Sequence, residues 1–200
     1  MSGIVGSYFN TRGSGVVAKL GTDGQVFTST GAGLSQGFEA AAGGGKILQV
    51  QSYSTVAHTS TSATDSMVDV TNFLITITPD TSSSKILIMV SLGIVGNDGD
   101  GSSFVVERAI SGGATTLLGG TAASTRNSSS FRHDQDADGN HSYGCHWSYV
   151  DSPSTTDEIT YQLQWCSQNT TYINRSFTDS DAPVYGDRHV SSIIGIEIGA

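Results

Sequence analysis

A short acidic segment contains the sharpest chemical pattern in the sequence. Asp134, Asp136 and Asp138 occupy alternate positions, and Gly139 follows them. Calcium-binding loops begin with this pattern. The alternate carboxylates direct hard oxygen ligands at one ion, and the glycine permits a sharp turn. A complete EF-hand loop has Glu at its twelfth position, where this chain has Cys145. The segment predicts either a solvated acidic turn or a calcium site completed by a neighbouring loop or subunit.

Three histidines flank the same segment. His133, His141 and His146 lie near Cys145, and imidazole and thiolate groups are the ligands that zinc prefers. The histidines are spaced by eight and five residues, which matches no compact zinc motif. Cys145 and His146 are also neighbours in a predicted strand and would point to opposite faces. We therefore interpret these histidines as polar loop residues, with His133 and His141 as candidate ligand contacts.

The sequence lacks the patterns of common catalytic sites. It contains no G-x-S-x-G or H-E-x-x-H motif, and its glycine runs do not form a phosphate-binding pattern. Cleavage of a sugar polymer would require two carboxylates facing one groove. Asp157 and Glu158 are adjacent, so in a strand they would face opposite sides. We predict a protein that is not an enzyme and has no cofactor other than the candidate calcium ion.

Four aromatic residues have the chemistry needed to stack on sugar rings. Tyr172 and Tyr185 fall in late polar segments, where they are candidate receptor contacts or structural residues. Trp147 and Trp165 fall on the apolar faces of predicted strands, and we expect them in the core. The candidate ligand-binding loops are residues 119–142 and 174–189.

The stretch from Val68 to Gly96 predicts the element around which the fold is built. Two apolar runs with the alternation typical of strands are joined by turn residues 79–84. One face of the second run is expected to contain Ile86, Ile88, Val90, Leu92 and Ile94. The other face contains Leu87 and Met89, and a strand that is apolar on both faces must be covered on both. We expect a hairpin or a corner, with the second strand central in an antiparallel sheet.

Strand patterns recur at regular intervals from residue 46 onward. Apolar and polar residues alternate over 143–149 and again over 159–165, and no stretch has a helical period. About eight strands at this spacing predict an all-β fold, an antiparallel β-sandwich or jelly roll over residues 46–200.

Apolar residues on the outer side of this sandwich predict a subunit interface. In the last strand Ile194, Ile196 and Ile198 share one face, and Leu87 and Met89 lie on the outer face of the central strand. A monomer would expose these side chains as an apolar patch. We therefore predict a homotrimer.

Residues 1–45 predict an extended N-terminal arm. The segment contains twelve glycines and ends in a flexible linker over 40–45. Such a segment cannot bury enough apolar area to fold alone. Its spaced apolar residues are nevertheless typical of an extended segment that binds along a partner. The predicted anchoring residues are Ile4, Val5, Tyr8, Phe9, Val16, Val17, Val26, Phe27 and Phe38.

Composition excludes some partners. A net charge of −9 disfavours nucleic acid, whose phosphates need a basic surface. No apolar run approaches a membrane span, and the opening MSGIVGSYFN lacks the features of a signal peptide, which predicts synthesis in a cytoplasm. Cys145 and Cys166 are too few for a disulfide framework, and are interpreted as cross-strand neighbours or as buried free thiols.

Two resemblances join these observations. The segments MSGIVGSYFNTRGSG, LGTDGQVFTSTGAG, FEAAAGGGKILQV and LITITPDTSSSKILIMV, within residues 1–95, together resemble virion proteins of tailed phages, especially marine ones. The segments DEITYQLQW and SSIIGIEIGA resemble the last strands of the trimeric jelly roll of the C1q and tumour-necrosis-factor class, although Glu197 and Gly199 depart from its apolar ending.

The phage resemblance implies a location in the virion, after synthesis in the host cytoplasm, and contacts with other phage virion proteins. The primary hypothesis is a trimeric tail fibre or receptor-binding protein that contacts host surface glycan or protein. The alternative is a capsid decoration, cement or head-fibre protein that clamps capsid subunits. A spike depolymerase is a third hypothesis, of a different class.

Overall fold

The computed structural model of the chain describes residues 25–28, 37–40, 47–97, 99, 101–134, 142–182 and 186–199. The chain divides into two units, Met1–Gly45 and Lys46–Ala200. In the first unit, β1 (Gln25–Thr28) and β2 (Gly37–Ala40) form a two-stranded antiparallel sheet.

Three of the predicted anchoring residues lie on this small sheet. Phe27 and Phe38 are cross-strand partners, and Val26 precedes Phe27 on β1. The other anchoring residues lie outside the described part of the chain; they are Ile4, Val5, Tyr8, Phe9, Val16 and Val17.

The second unit is built from strands. They are β3 (Ile47–Thr55), β4 (Thr59–Thr61), β5 (Val68–Ile77), β6 (Lys85–Asn97), β7 (Ser102–Ile110), β8 (Thr115–Leu117), β9 (Phe131–His133), β10 (Tyr143–Asp151), β11 (Ile159–Ser167), β12 (Thr171–Ile173) and β13 (Ser191–Ile198). No described residue is helical, and the described part of the chain contains no helix that could cross a membrane.

These strands form two antiparallel sheets, which confirms the predicted all-β sandwich. One sheet has the order β3-β13-β6-β12-β4, and β10 pairs with the other side of β6. The second has the order β5-β11-β7-β8, and β9 also pairs with β7. The described second unit has eleven strands rather than about eight. The additional strands β4, β9 and β12 have three residues each, which is too short for a period-two pattern to emerge.

The central strand β6 lies where the sequence predicted it, and the connection before it is a corner. β5 and β6 belong to different sheets, so the turn between them crosses the sandwich and is not a hairpin. Ile86, Ile88, Val90 and Leu92 are buried in the core as expected. Ile94 is also buried, at 8% exposed, but it does not belong to the core cluster that contains the other four. A bulge opposes two residues of β6, Gly93 and Ile94, to Gly144 of β10, so Val95 is the next core residue after Leu92.

The last strand, β13, alternates as predicted but with an unexpected inward residue. Ile193, Gly195 and Glu197 are buried, and the isoleucines between and after them are half-buried on the other face. A Cβ at Gly195 would lie 2.5 Å from Ile75 Cδ1, so a larger residue here would require the end of the Ile75 side chain to move. Glu197, which departs from the apolar ending of the trimeric jelly rolls, therefore points into the sandwich and not away from it.

The Glu197 carboxylate is held by donors from two neighbouring segments. Gln49 Nε2 donates to Oε2 over 2.6 Å, and the Asp80 N–H donates to Oε1 over 2.7 Å. Glu197 thereby ties β13 to β3 and to the corner before β6. A buried carboxylate is stable only when it is hydrogen-bonded in this way.

Candidate interaction surfaces

The outer side of the β6 sheet presents apolar residues across four strands. One row of cross-strand partners consists of Val50, Ile196, Leu87 and Val150, from β3, β13, β6 and β10. Directly opposed residues of antiparallel strands have side chains on the same face. At about 4.8 Å per strand, the row is roughly 14 Å long. Val50 and Val150 are 54% and 49% exposed, so the ends of the row reach solvent.

A second row extends this surface. Ile194 and Met89 are partners between β13 and β6, and Met89 is 42% exposed. Ile198 pairs with Ile47 at the end of β3. We call the following residues the outer face: Val50, Leu87, Met89, Val150, Ile194, Ile196 and Ile198. It contains all five residues predicted to form a trimer interface. The sequence analysis did not include Val50 and Val150 in the interface. The alternation of their strands would have placed them on this face.

The outer face contains no carboxylate, and its charged neighbour is Lys85, the β6 partner of Ile198. Beyond the Ile194–Met89 row lies a row of cross-strand partners formed by Ser54, Ser192, Ser91 and His146. No carboxylate stands in these rows, although the whole chain has a net charge of −9. Two copies of an acidic chain repel one another, and a face without carboxylates is where they can approach with least repulsion.

The acidic segment and its histidines are only partly described. Asp134 is exposed, and Arg132 Nε donates to its Oδ2 over 3.4 Å. Asp136, Asp138 and His141 lie outside the described residues. Among the described residues, no group of three or more His, Cys, Asp or Glu side chains is arranged to hold a metal ion. The calcium hypothesis therefore stays a prediction.

Two of the remaining candidate receptor contacts, His133 and Tyr172, lie in the described part of the chain. His133 is on β9 and only 5% exposed, which removes it from a receptor-accessible surface. Tyr172 is half-buried on β12, and the Arg175 guanidinium lies 3.8 Å from the centre of its ring. Tyr185 lies outside the described residues. Trp165 is in the core as predicted, and both cysteines are free thiols.

A cleft that the sequence did not indicate opens at one side of the sandwich. Among the described strands, β10 pairs only with β6, and β8 only with β7, so each lies at the edge of its sheet. Between them is a space of about 420 Å³, which we call the edge cleft. Its walls include Arg108, Thr116, Trp147, Tyr149 and Asp151, and the chain at 117–120 and 129–130 completes them.

Aromatic rings form one wall of the edge cleft. Phe131 stacks on the core residue Phe104 at a centroid distance of 5.0 Å, and Trp147 stacks on Phe131 at 6.3 Å. Tyr149 follows, with its ring 5.7 Å from that of Trp147 and an interplanar angle of 5°. The stack thus runs from the core to the surface. Tyr149 ends it, 44% exposed.

An ion pair forms the polar end of the cleft. Arg108 Nη1 donates to both oxygens of Asp151, over 2.8 and 3.0 Å. Asp151 also accepts hydrogen bonds from Tyr161 Oη at 2.8 Å and from the Ser152 N–H at 2.9 Å. Burial, followed by the negative charge of Asp151, raises the pKa of Tyr161, so its hydroxyl remains a donor.

These bonds determine what the cleft can do chemically. Each oxygen of the Asp151 carboxylate accepts two hydrogen bonds. The described lining contains no other carboxylate. A glycosidase needs a pair of carboxylates, one of them free to exchange a proton. The described lining therefore lacks the carboxylate pair of a glycosidase. Arg108 Nη2 donates to Thr116 Oγ1 over 3.3 Å, and Arg108 Nε has no hydrogen-bond partner among the described residues.

Comparisons with known proteins identify no family for this chain. No family model and no curated protein matches it. Twenty-seven solved chains are similar in structure. They include the infectious bursal disease virus Gx strain, at 10% identity over 86% of this chain and 42% of that chain, with a TM-score of 0.30. The VP2 subviral particle of the same virus is 9% identical over 88% of this chain and 43% of that chain, also at 0.30.

The T13 particle of this virus is 9% identical over 86% of this chain and 41% of that chain, with a TM-score of 0.31. The chain spans less than half the length of these structures. A TM-score near 0.3 establishes no shared function, so the functional argument rests on the residues of this chain.

Proposed function

We propose that this protein is a non-enzymatic structural component of a phage virion, a trimeric tail fibre or receptor-binding protein anchored by its N-terminal arm. The observation that carries the proposal is the outer face, a charge-poor apolar surface on a sheet whose other side already forms the core. The segments that resemble tailed-phage virion proteins support the proposed location, and the resemblance of the last strands to trimeric jelly rolls supports the proposed subunit number.

The outer face has the composition expected of a subunit interface. Interface centres are depleted in charged side chains, and apolar patches on soluble proteins commonly mark binding surfaces. A second copy of this chain is the partner that fits, because the face is free of carboxylates whereas the rest of the chain is acidic. Burial of the exposed parts of Val50, Met89 and Val150 would stabilise the assembly by roughly 25 cal/mol per Å² of apolar area removed from water.

The mass of the purified chain in solution tests this assembly. Light scattering at micromolar concentration is expected to give the mass of three chains. Met89→Glu is expected to give a folded monomer, because the charge is tolerated in solvent but not in an interface. Val56→Glu is the matched control: Val56 is 71% exposed outside the outer face, and its variant should stay trimeric. A monomer mass for the unmodified chain contradicts the proposal.

The alternative structural role is capsid decoration, in which the arm clamps neighbouring capsid subunits. The outer face is compatible with both roles, since both use a trimer. The edge cleft favours receptor binding, because a clamping protein has no need of a ligand-sized recess. Copy number separates the two: a fibre is present in few copies per virion and a decoration protein in many. Release of soluble sugar from host envelope by the purified chain would identify a depolymerase and contradict both.

A further inference from the structure

We propose that the edge cleft binds a neutral saccharide, and that Tyr149 is the residue on which a sugar ring stacks. This inference deepens the proposed receptor-binding role by giving it a site and a ligand class. It starts from a wall of parallel aromatic rings, a polar end formed by Arg108 and Asp151, and a volume of about 420 Å³. Ligand pockets typically hold 300–1,000 Å³, so the cleft suits a short saccharide.

The aromatic wall provides the apolar part of the site. A sugar ring has a face of C–H groups that packs on an aromatic ring, while its hydroxyls need polar partners around the edge. Tyr149 is held by its stack on Trp147, which is in turn supported by Phe131 and the core. A ring supported in this way is ordered before the ligand arrives, and pre-ordering reduces the entropy lost on binding.

The polar end provides hydrogen bonds in a fixed arrangement. Arg108 has five N–H donors, and Asp151 and Thr116 occupy only part of them. The Thr116 hydroxyl accepts from Arg108, which leaves its own hydrogen available to a ligand oxygen. Neighbouring hydroxyls of a sugar match such a set of closely spaced donors and acceptors.

The charge balance selects the class of saccharide. Arg108 and Asp151 are the charged groups of the described lining, and they neutralise each other at 2.8 Å. No positive charge is left to attract a carboxylate, sulfate or phosphate. Acidic sugars would lose hydration on entry without gaining an ion pair. The cleft therefore favours hexoses and N-acetylhexosamines over uronic acids.

The position of the cleft agrees with receptor binding by a trimer. Tyr149 and Val150 are adjacent on β10 and point to opposite faces, so Val150 lies on the outer face while Tyr149 lines the cleft. Assembly through the outer face leaves the aromatic wall on the other side of the strand. A trimer would present three such clefts, and multivalent binding strengthens attachment to a surface that repeats the same sugar.

The test measures binding of the full-length chain to oligosaccharides of equal length. Oligomers of glucose, mannose and N-acetylglucosamine are the neutral probes, and oligogalacturonate is the acidic probe. The strongest neutral binder is then titrated in solution by calorimetry against two variants. Tyr149→Ala removes the stacking ring from the cleft. Tyr143→Ala is the matched control, because Tyr143 is also exposed on β10 but does not line the cleft.

The expected result is binding of a neutral probe that Tyr149→Ala weakens roughly tenfold or more, and Tyr143→Ala leaves unchanged. Thr116→Val, a change at an exposed position, should also weaken binding. Binding of oligogalacturonate alone, equal binding by wild-type and Tyr149→Ala chains, or no binding of any probe overturns the inference. None of these results alters the mass of the chain in solution, which tests the proposed function separately.

Discussion

Replacing Glu197 with glutamine is expected to destabilise the sandwich by about 2–4 kcal/mol. The carboxylate is fully buried and accepts hydrogen bonds from Gln49 Nε2 at 2.6 Å and from the Asp80 N–H at 2.7 Å. Glutamine has the same shape, but one of its terminal atoms is an NH₂ donor that would face one of these donors. Each hydrogen bond to a charged group contributes about 1.5–3 kcal/mol, so losing one and weakening the other gives the stated range.

The pH dependence of the stability tests the same prediction in a second way. Burial alone would raise the pKa of Glu197, but hydrogen bonds from Ser84, Gln49 and the backbone of Asp80 and Thr81 outweigh it and hold the pKa below the ordinary value of 4.5. A carboxyl group with a lowered folded-state pKa contributes stability above its unfolded-state pKa, and this is lost as the pH falls through the folded-state value. The difference between wild-type and Glu197→Gln chains should therefore shrink below pH 4.5.

Urea unfolding at pH 7 and at a series of lower pH values measures both effects. The expected result is a lower urea midpoint for Glu197→Gln with an unchanged m-value, which reports stability without a change in the exposed surface. Glu158→Gln is the control, because Glu158 is exposed and the same substitution there should change stability by less than about 0.5 kcal/mol. A midpoint equal to wild type, or a difference that persists unchanged in acid, would refute the role given to Glu197.

Two further predictions concern Cys145 and the acidic segment at residues 134–139. Burial raises the pKa of Cys145 to about 12, so at pH 8 only roughly one thiol in ten thousand is ionised. A disulfide reagent should therefore react with Cys145 at least a hundredfold more slowly in the native chain than in urea, and equal rates would contradict its burial. If residues 134–139 bind calcium, millimolar calcium should raise the melting temperature above that measured with chelator, and Asp136→Ala should abolish the rise. Equal temperatures would favour the solvated turn.

Alternation along the chain predicted the long strands and which way their residues face, because a side chain's direction in a strand follows from its position. The inward set of β6 and the outward isoleucines of β13 follow this rule. The alternation is interrupted after Leu92, where Val95 and not Ile94 joins the core cluster, because the bulge that shifts the register depends on the partner strand β10. Strands of three residues, such as β9, were missed for lack of a period.

The edge cleft was beyond sequence analysis for a different reason. Arg108 and Asp151 are separated by 43 positions and meet only because β7 and β10 face each other across the sandwich. In the sequence, Tyr149 is one of several aromatic residues in the alternating pattern of β10, and nothing distinguishes it from the others. Its exposure follows from β10 being the edge strand of its sheet, and sheet order is set by long-range pairing that no local pattern encodes.

Incorporation into particles tests the central proposal most directly. Phage particles assembled without this protein are mixed with the full chain or with a 46–200 fragment, and bound protein is measured after the particles are purified. The full chain is expected to join the particles, and the fragment to remain trimeric in solution without joining, because it lacks the arm. Incorporation of the fragment as efficiently as the full chain would place the anchor elsewhere. Failure of the full chain to join would contradict a structural role in the virion.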